Sequence, residues 1–183
     1  MIEDYSQPDF YRFNQDSTAL INWITKSQTS FSSILDLGAG SGILGIELAR
    51  LMKIEKVCLV EAQAEYLDHL KKNAEMFLDQ ADVDIQITTF GEFPSQAFDL
   101  IVCNPPYYLP GKGELPADPR RAIARSFILD SWEILLRKIE ECLSGRCFIV
   151  LKKDDSLFLM IQKITTLKSL RHDLENVMIV ELF

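Results

Sequence analysis

One stretch carries residue types that could do chemistry together: Ile101-Val102-Cys103-Asn104-Pro105-Pro106-Tyr107-Tyr108. The apolar run from Phe98 to Cys103 reads as a strand, and it stops at an amide followed by two prolines. Proline lacks a backbone N–H and fixes φ, so a strand does not continue through Pro105 and Pro106. A residue before proline is held extended, so Asn104 does not open a helix. The result is a stiff turn offering a side-chain amide oxygen, a carbonyl with no local partner and the Tyr107 ring. Two acceptors and a ring suit a flat group bearing an NH2, the acceptors taking its hydrogens while the ring stacks on its face. Taken alone, the same residues would also make an ordinary Pro-Pro strand stop.

A second set lies upstream. The apolar segment Ser33-Ile34-Leu35-Asp36-Leu37 runs into Gly38-Ala39-Gly40-Ser41-Gly42 and then into a helical pattern from Ile43 to Met52. Glycines let the chain turn tightly and let a ligand approach the backbone. The helix start behind them offers free N–H groups and a positive dipole end. The next apolar strand, Val57-Cys58-Leu59-Val60-Glu61, ends in an acid. Glu61 falls about 20 residues past the loop, where doubly wound folds place a carboxylate on ribose hydroxyls. A surface glutamate capping the following helix is the plainer alternative.

These residues need elements to hold them. Tyr5 to Phe13 reads as an ordered aromatic arm, and Asp16-Ser17-Thr18 offers N-caps for a helix through Ala19–Ile24. Residues 1–30 are taken as an arm and helix packed on a core domain of residues 31–183. Apolar spacing predicts an amphipathic helix over Ala64–Phe77 and a longer one over Phe127–Leu143, stopped by Ser144-Gly145. Strands are predicted at Asp84–Thr88, Ala97–Cys103 and Arg146–Leu151, with a helix over Asp155–Lys163. Two last strands near Leu167–Leu174 and Val177–Leu182 are joined by a turn short enough to force them antiparallel. The alternation predicts an α/β fold. It is a doubly wound, mostly parallel seven-stranded sheet with helices on both faces and a C-terminal antiparallel hairpin. Ligands in such sheets bind at the C-terminal strand ends beside the order reversal, where the glycine loop, Glu61 and Asn104 all fall.

Composition narrows the class. The 183 residues are 48% apolar and 25% charged, as in a single globular domain. No apolar run reaches the roughly 18 residues of a membrane span, and the acidic Met1–Tyr5 start is no secretory signal, so a cytoplasmic protein is expected. Four cysteines without Cys-x-x-Cys spacing read as buried thiols rather than a metal site. The net charge of −8 argues against indiscriminate nucleic-acid binding. A local basic cluster nevertheless follows the Asn-Pro-Pro turn: Lys112, Arg120, Arg121 and Arg125, in and after a long loop over Tyr107–Pro119. A solvated charged face and a phosphate-binding patch both fit it. His69 and His172 read as surface residues, and Trp23 and Trp132 as core.

The chain resembles the class I S-adenosylmethionine-dependent methyltransferases. Asp36-Leu37-Gly38-Ala39-Gly40-Ser41-Gly42 matches their first motif and Val60-Glu61-Ala62 their second. Asn104-Pro105-Pro106-Tyr107 matches the tetrapeptide of enzymes that methylate planar amines: adenine N6 and cytosine N4 of DNA, guanine N2 of ribosomal RNA, and glutamine N5 of release factors. Tyr11-Arg12-Phe13-Asn14-Gln15-Asp16-Ser17, followed by Leu20, and Ala124-Arg125 further resemble the bacterial tRNA adenine-N6 methyltransferases, over about residues 7 to 152.

That resemblance implies S-adenosyl-L-methionine held by Asp16, Asp36, Gly38, Ala39, Gly40, Gly42, Glu61, Ala62, Phe90 and Asn104. It implies catalysis by Asn104, Pro105, Pro106 and Tyr107. RNA would be gripped by Tyr108, Lys112, Arg120, Arg121 and Arg125, with no metal, no membrane and a monomer favoured. The chain departs from the family at the end of the third strand, reading Thr88-Thr89-Phe90-Gly91-Glu92 where an acid is usual. Rival readings are a glutamine-N5, DNA adenine-N6 or guanine-N2 methyltransferase, or a non-catalytic cofactor-binding module.

Overall fold

The computed structural model describes residues 4–27, 29–106 and 116–183. Tyr107, Tyr108 and Lys112 lie outside the described residues. The elements are α1 (Gln15–Ile24), β1 (Ser33–Leu37), α2 (Ile43–Met52), β2 (Lys56–Glu61), α3 (Leu67–Phe77), β3 (Asp82–Ile87), β4 (Phe98–Cys103), α4 (Pro119–Arg125), α5 (Trp132–Cys142), β5 (Leu143–Lys152), α6 (Asp155–Ile164), β6 (Ser169–Asp173) and β7 (Val177–Leu182). The seven strands form one sheet in the order β3-β2-β1-β4-β5-β7-β6. Pairing is parallel from β3 through β5, and β7 runs antiparallel to both β5 and β6. The hairpin thus folds back, so that its second strand, not its first, joins the parallel part. The order reverses between β1 and β4, and the two strands end together at Leu37 and Cys103.

Alternate strand residues face opposite sides, so the central strands feed two cores. Ile34, Leu59, Val102 and Val150 pack with residues of α1, α2 and α3; Leu35, Cys58, Ile101 and Ile149 pack with residues of α5 and α6. All four cysteines are buried and unbridged. The arm is ordered by two aromatic anchors: Tyr5 stacks on Phe77, and Phe10 meets Tyr66 edge-on. No helix among the described residues is long and apolar enough to cross a membrane.

Several boundaries differ from the sequence expectation, each because a specific polar group decides them. Helix α1 starts at Gln15 because Asn14, not Asp16, is its cap. The segment expected as one helix from Ala64 begins as a 3-10 turn, Ala64–Tyr66, and becomes α-helical at Leu67. Helix α5 starts at Trp132 rather than Phe127, because the Ser131 side chain accepts from the Ile134 N–H. A separate short helix, α4, precedes it, capped by Asp118 with Pro119 at its first position. Ser144-Gly145 does not end a helix but lies inside β5. A Cβ on Gly145 would run into the Asp99 carbonyl, beside the register shift between β4 and β5.

Candidate active site

The glycine loop is folded onto the end of β2. The N–H groups of Gly38 and Ala39 both donate to the Val60 carbonyl, at 2.9 Å each. Gly38 and Gly42 both sit at φ +80°, a conformation side chains rarely adopt. Behind the loop, the Asp36 Oδ2 accepts from the Gly45 N–H at 2.8 Å. Gly45 is small for a reason: a Cβ there would press on Asp36 and Leu59 at 2.9 Å. Its bare backbone lets α2 approach β1 closely enough to make that bond.

Two carboxylates are buried side by side at these strand ends. Asp36 is 1% exposed, and burial pushes its carboxyl up to about 7, opposed by the Gly45 N–H and reinforced by the charge of Glu61. Glu61 is raised by burial too, and is held back by the N–H groups of Gln63, Gly40 and Ala62. Its Oε2 accepts from the Gly40 N–H at 2.8 Å and its Oε1 from the Gln63 N–H at 2.9 Å. Each carboxylate oxygen still has acceptor capacity beyond one bond.

Asn104 ends β4 across the order reversal. Its Nδ2 donates to Ser17 Oγ at 3.0 Å, with Asn14 Oδ1 at 3.5 Å. The arm and the start of α1 therefore fold over the strand end and hold the amide by its nitrogen.

A single cavity of about 350 Å3 joins these parts. It is walled by Asp36, Gly38, Ala39, Gly40, Glu61, Ala62, Phe90, Asn104, Pro105, Pro106, Arg121 and Arg125, all expected from the sequence. Among the described residues, three expected ones are not in its wall. Asp16 is turned to the arm, accepting from Asn14 Nδ2 at 2.8 Å. Gly42 supports the loop from behind, where a Cβ would meet Ile46. Arg120 forks onto Asp118, with Nη2–Oδ2 at 2.7 Å, and covers the Phe10 ring at 4.6 Å.

The wall also holds residues that sequence reasoning missed. Asn14 carried a signal, since an asparagine before a helical run is a good cap. Gly45, behind the wall rather than in it, was visible as an isolated glycine in a helical pattern. Ser17 stood in the stretch at 11–17 without a site role of its own, and Asp130 carried no signal. The Asp130 Oδ2 accepts from the Phe90 N–H at 3.0 Å. This carboxylate reaches the segment after β3, Thr88–Glu92, where the chain departs from the family's usual acid. His69 and His172 are half-buried and lie outside the cavity wall: His69 Nδ1 meets Ser6 Oγ at 2.8 Å, and His172 Nε2 meets Glu181 at 3.0 Å. Trp132 is core as expected, whereas Trp23 is half-buried against His172.

The cavity fits S-adenosylmethionine on its own features. A bare-backbone loop sits at a helix start, an acid with spare acceptor capacity ends the neighbouring strand, and the Phe90 ring lies 3.6 Å from where a Gly38 Cβ would be. Gly38–Gly40 and Asp36 would hold the amino-acid end, Glu61 the ribose, and Ala62 with Phe90 the base.

A family model described as "Methyltransferase small domain" matches residues 11–172. A tRNA1(Val) (adenine(37)-N6)-methyltransferase of Photorhabdus laumondii is 39% identical over 43% of this chain and 34% of its own length. A release factor glutamine methyltransferase of Flavobacterium psychrophilum is 33% identical over 50% of this chain and 34% of its own. The chain thus spans about a third of the length of either relative. Among solved structures, a 16S rRNA N2 G1207 methyltransferase of T. thermophilus, in complex with AdoMet and guanosine, shares the fold. The TM-score is 0.68 at 18% identity, over 93% of this chain and 43% of that one. The protein belongs to the methyltransferase small domain family, a class of S-adenosylmethionine-dependent enzymes.

Proposed function

We propose that the chain methylates an exocyclic amine of a nucleic-acid base, adenine N6 in tRNA or another structured RNA being the best-supported acceptor. The observation that carries this is the shared cavity, lined together by the glycine loop, Glu61 and Asn104-Pro105-Pro106. S-adenosylmethionine supplies, when bound, a methyl group already activated on a positively charged sulfur. The chain's own residues supply orientation. The Asn104 side-chain oxygen and the Pro105 carbonyl accept the two hydrogens of the amine. This draws the lone pair out of the ring system and onto the nitrogen, where it can attack. Tyr107, next along the chain, is the stacking group of this reading. Fixing the amine in line accounts for most of the rate, with preorganised acceptors adding the rest. A base paired in a duplex hides its amine, so the target is in a loop, single-stranded or flipped out.

The similarity to tRNA adenine-N6 enzymes supports RNA, as do Arg121 and Arg125 in the cavity wall. A second reading, transfer to a glutamine side chain in a protein, is favoured by the net charge of −8, by Arg120 being committed to Asp118, and by the likeness to a release factor enzyme. Incubation with methyl-labelled S-adenosylmethionine and, separately, total RNA or total protein from a bacterium lacking the gene distinguishes them. Label in RNA as N6-methyladenosine supports the first reading; label only in protein as N5-methylglutamine replaces it with the second.

A further inference from the structure

We propose that Ser17 and Asn14, backed by Asp16, are positioning residues that decide which end of the Asn104 carboxamide faces the substrate. This rests on the amine-acceptor role given to Asn104 above. An asparagine amide is nearly symmetrical in shape, with a donor at one end and an acceptor at the other. If Asn104 turned over, it would offer a donor to an amine that is itself a donor, and the site would fail. A hydroxyl can donate or accept, so Ser17 Oγ at 3.0 Å anchors the amide without choosing its sense. The choice comes from the chain of groups behind it.

The Asn14 side chain is pinned at both ends. Its Oδ1 accepts from the Asp16 N–H at 3.2 Å, which caps α1. Its Nδ2 donates to the Asp16 carboxylate at 2.8 Å, and an ionised carboxylate only accepts. Asn14 therefore shows only its oxygen to Asn104, at 3.5 Å, and the nitrogen of Asn104 must be the end that turns toward it. Ser17 is 6% exposed, so bulk water does not compete for the anchor. Hydrogen-bond polarity thus passes from Asp16 through Asn14 to Asn104, and the catalytic amide is oriented before a substrate arrives. In this proposal Asp16, implied by the resemblance to hold the cofactor, acts on the site only through Asn14.

The test uses donor and acceptor swaps. Asp16→Asn removes the pure acceptor that fixes Asn14 while leaving the backbone cap. Asn14→Asp combined with Asp16→Asn restores the pattern in mirror form, because the new carboxylate accepts from both neighbours. In the full chain labelled with 15N-asparagine, the Asn104 side-chain NH2 signal is assigned by its loss in Asn104→Asp. It is expected to be protected from exchange in the wild type, to lose at least tenfold of that protection in Ser17→Ala and Asp16→Asn, and to regain it in Ser17→Thr and the double variant. Methyl transfer to total RNA should follow the same order, kcat falling about 30-fold in Ser17→Ala and about tenfold in Asp16→Asn. Affinity for S-adenosylhomocysteine, measured by calorimetry, should stay within threefold. Full protection and full kcat in both single variants, with Asn104→Ala inactive, overturns the positioning role alone. An active Asn104→Ala overturns the underlying reading and this proposal with it. If the wild type labels no RNA, the function assigned above has failed, and the exchange data alone decide the orientation claim.

Discussion

The wall around Gly38, Gly40 and Glu61 is made at the ends of two adjacent strands, largely by backbone N–H groups meeting buried carboxylates. The wall around Asn104 is made by side chains from segments far apart in sequence: the arm at 11–17, the turn at 104–106 and the stretch at 121–130. A backbone wall tolerates change in the residues around it, because the donors and acceptors are common to every residue. A side-chain wall depends on particular amides and hydroxyls. The first suits a cofactor shared by a whole family, and the second a substrate that varies within it. The largest test of this division is Asn104→Ala. It should lower kcat for the methylated substrate about 1,000-fold, within reach of the loss from removing preorganised hydrogen-bond partners. Binding of S-adenosylhomocysteine should be almost unchanged. Equal losses in both would mean that the two walls are one functional unit.

Glu61→Gln probes the other wall. The amide keeps an oxygen for one backbone N–H but presents a donor where the carboxylate accepted from two. Affinity for S-adenosylhomocysteine is expected to fall about 30-fold by calorimetry, in the range of a hydrogen bond to a charged group. At saturating cofactor, kcat should recover to near the wild-type value. A loss confined to kcat would move Glu61 out of the cofactor wall.

The backbone wall was also the more legible in the sequence. A glycine loop between an apolar strand and a helix, with an acid ending the next strand, is a local pattern with one good geometric solution, and the structure has it. The sheet followed from the alternation of elements for the same reason. What the sequence hid was long-range. Nothing local to Ser17 marks it as the partner of Asn104, 87 residues away, and nothing around Asp130 marks it as the carboxylate at Phe90. The helix expected from Phe127 was misread because apolar spacing continues through Phe127 and Ile128, while Ser131 sets the true start. Charge shows the same limit: nothing local to Arg120 separates it from its neighbour Arg121, whereas the fold pairs it with Asp118.

Burying two carboxylates has a cost that pH reveals. Folded, Asp36 keeps its proton up to about pH 7; unfolded, it loses it near the ordinary value of 3.8. The folded chain therefore binds this proton more tightly. The stability it contributes is fully present below about pH 4 and is lost as pH rises through 7. Glu61, also raised, shifts stability in the same direction. Asparagine at position 36 has no proton to lose and keeps an oxygen for the Gly45 N–H. Asp36→Asn without cofactor is expected to be more stable than the wild type at pH 8 by up to about 4 kcal/mol, seen as a higher melting temperature. The gap should close as pH falls toward 4. A variant that melts below the wild type at pH 8 would show that the ionised carboxylate is not a burden on the empty fold.

The smallest expected effect separates two adjacent arginines. Arg121 is exposed at the cavity wall, whereas Arg120 is held by Asp118 and lies over Phe10. A guanidinium already engaged by a carboxylate releases few counterions from RNA, since its charge is largely balanced before binding. Arg121→Ala should therefore weaken binding to bulk tRNA about fivefold and reduce the slope of log affinity against log salt by about one. Arg120→Ala should leave that slope unchanged and instead loosen the arm, seen as faster amide exchange around Phe10. If both variants lower the slope equally, the Asp118 fork opens when RNA arrives, and Arg120 belongs to the substrate wall after all. If neither does, the basic cluster is a solvated face and the case for RNA rests on Arg125 and the arm.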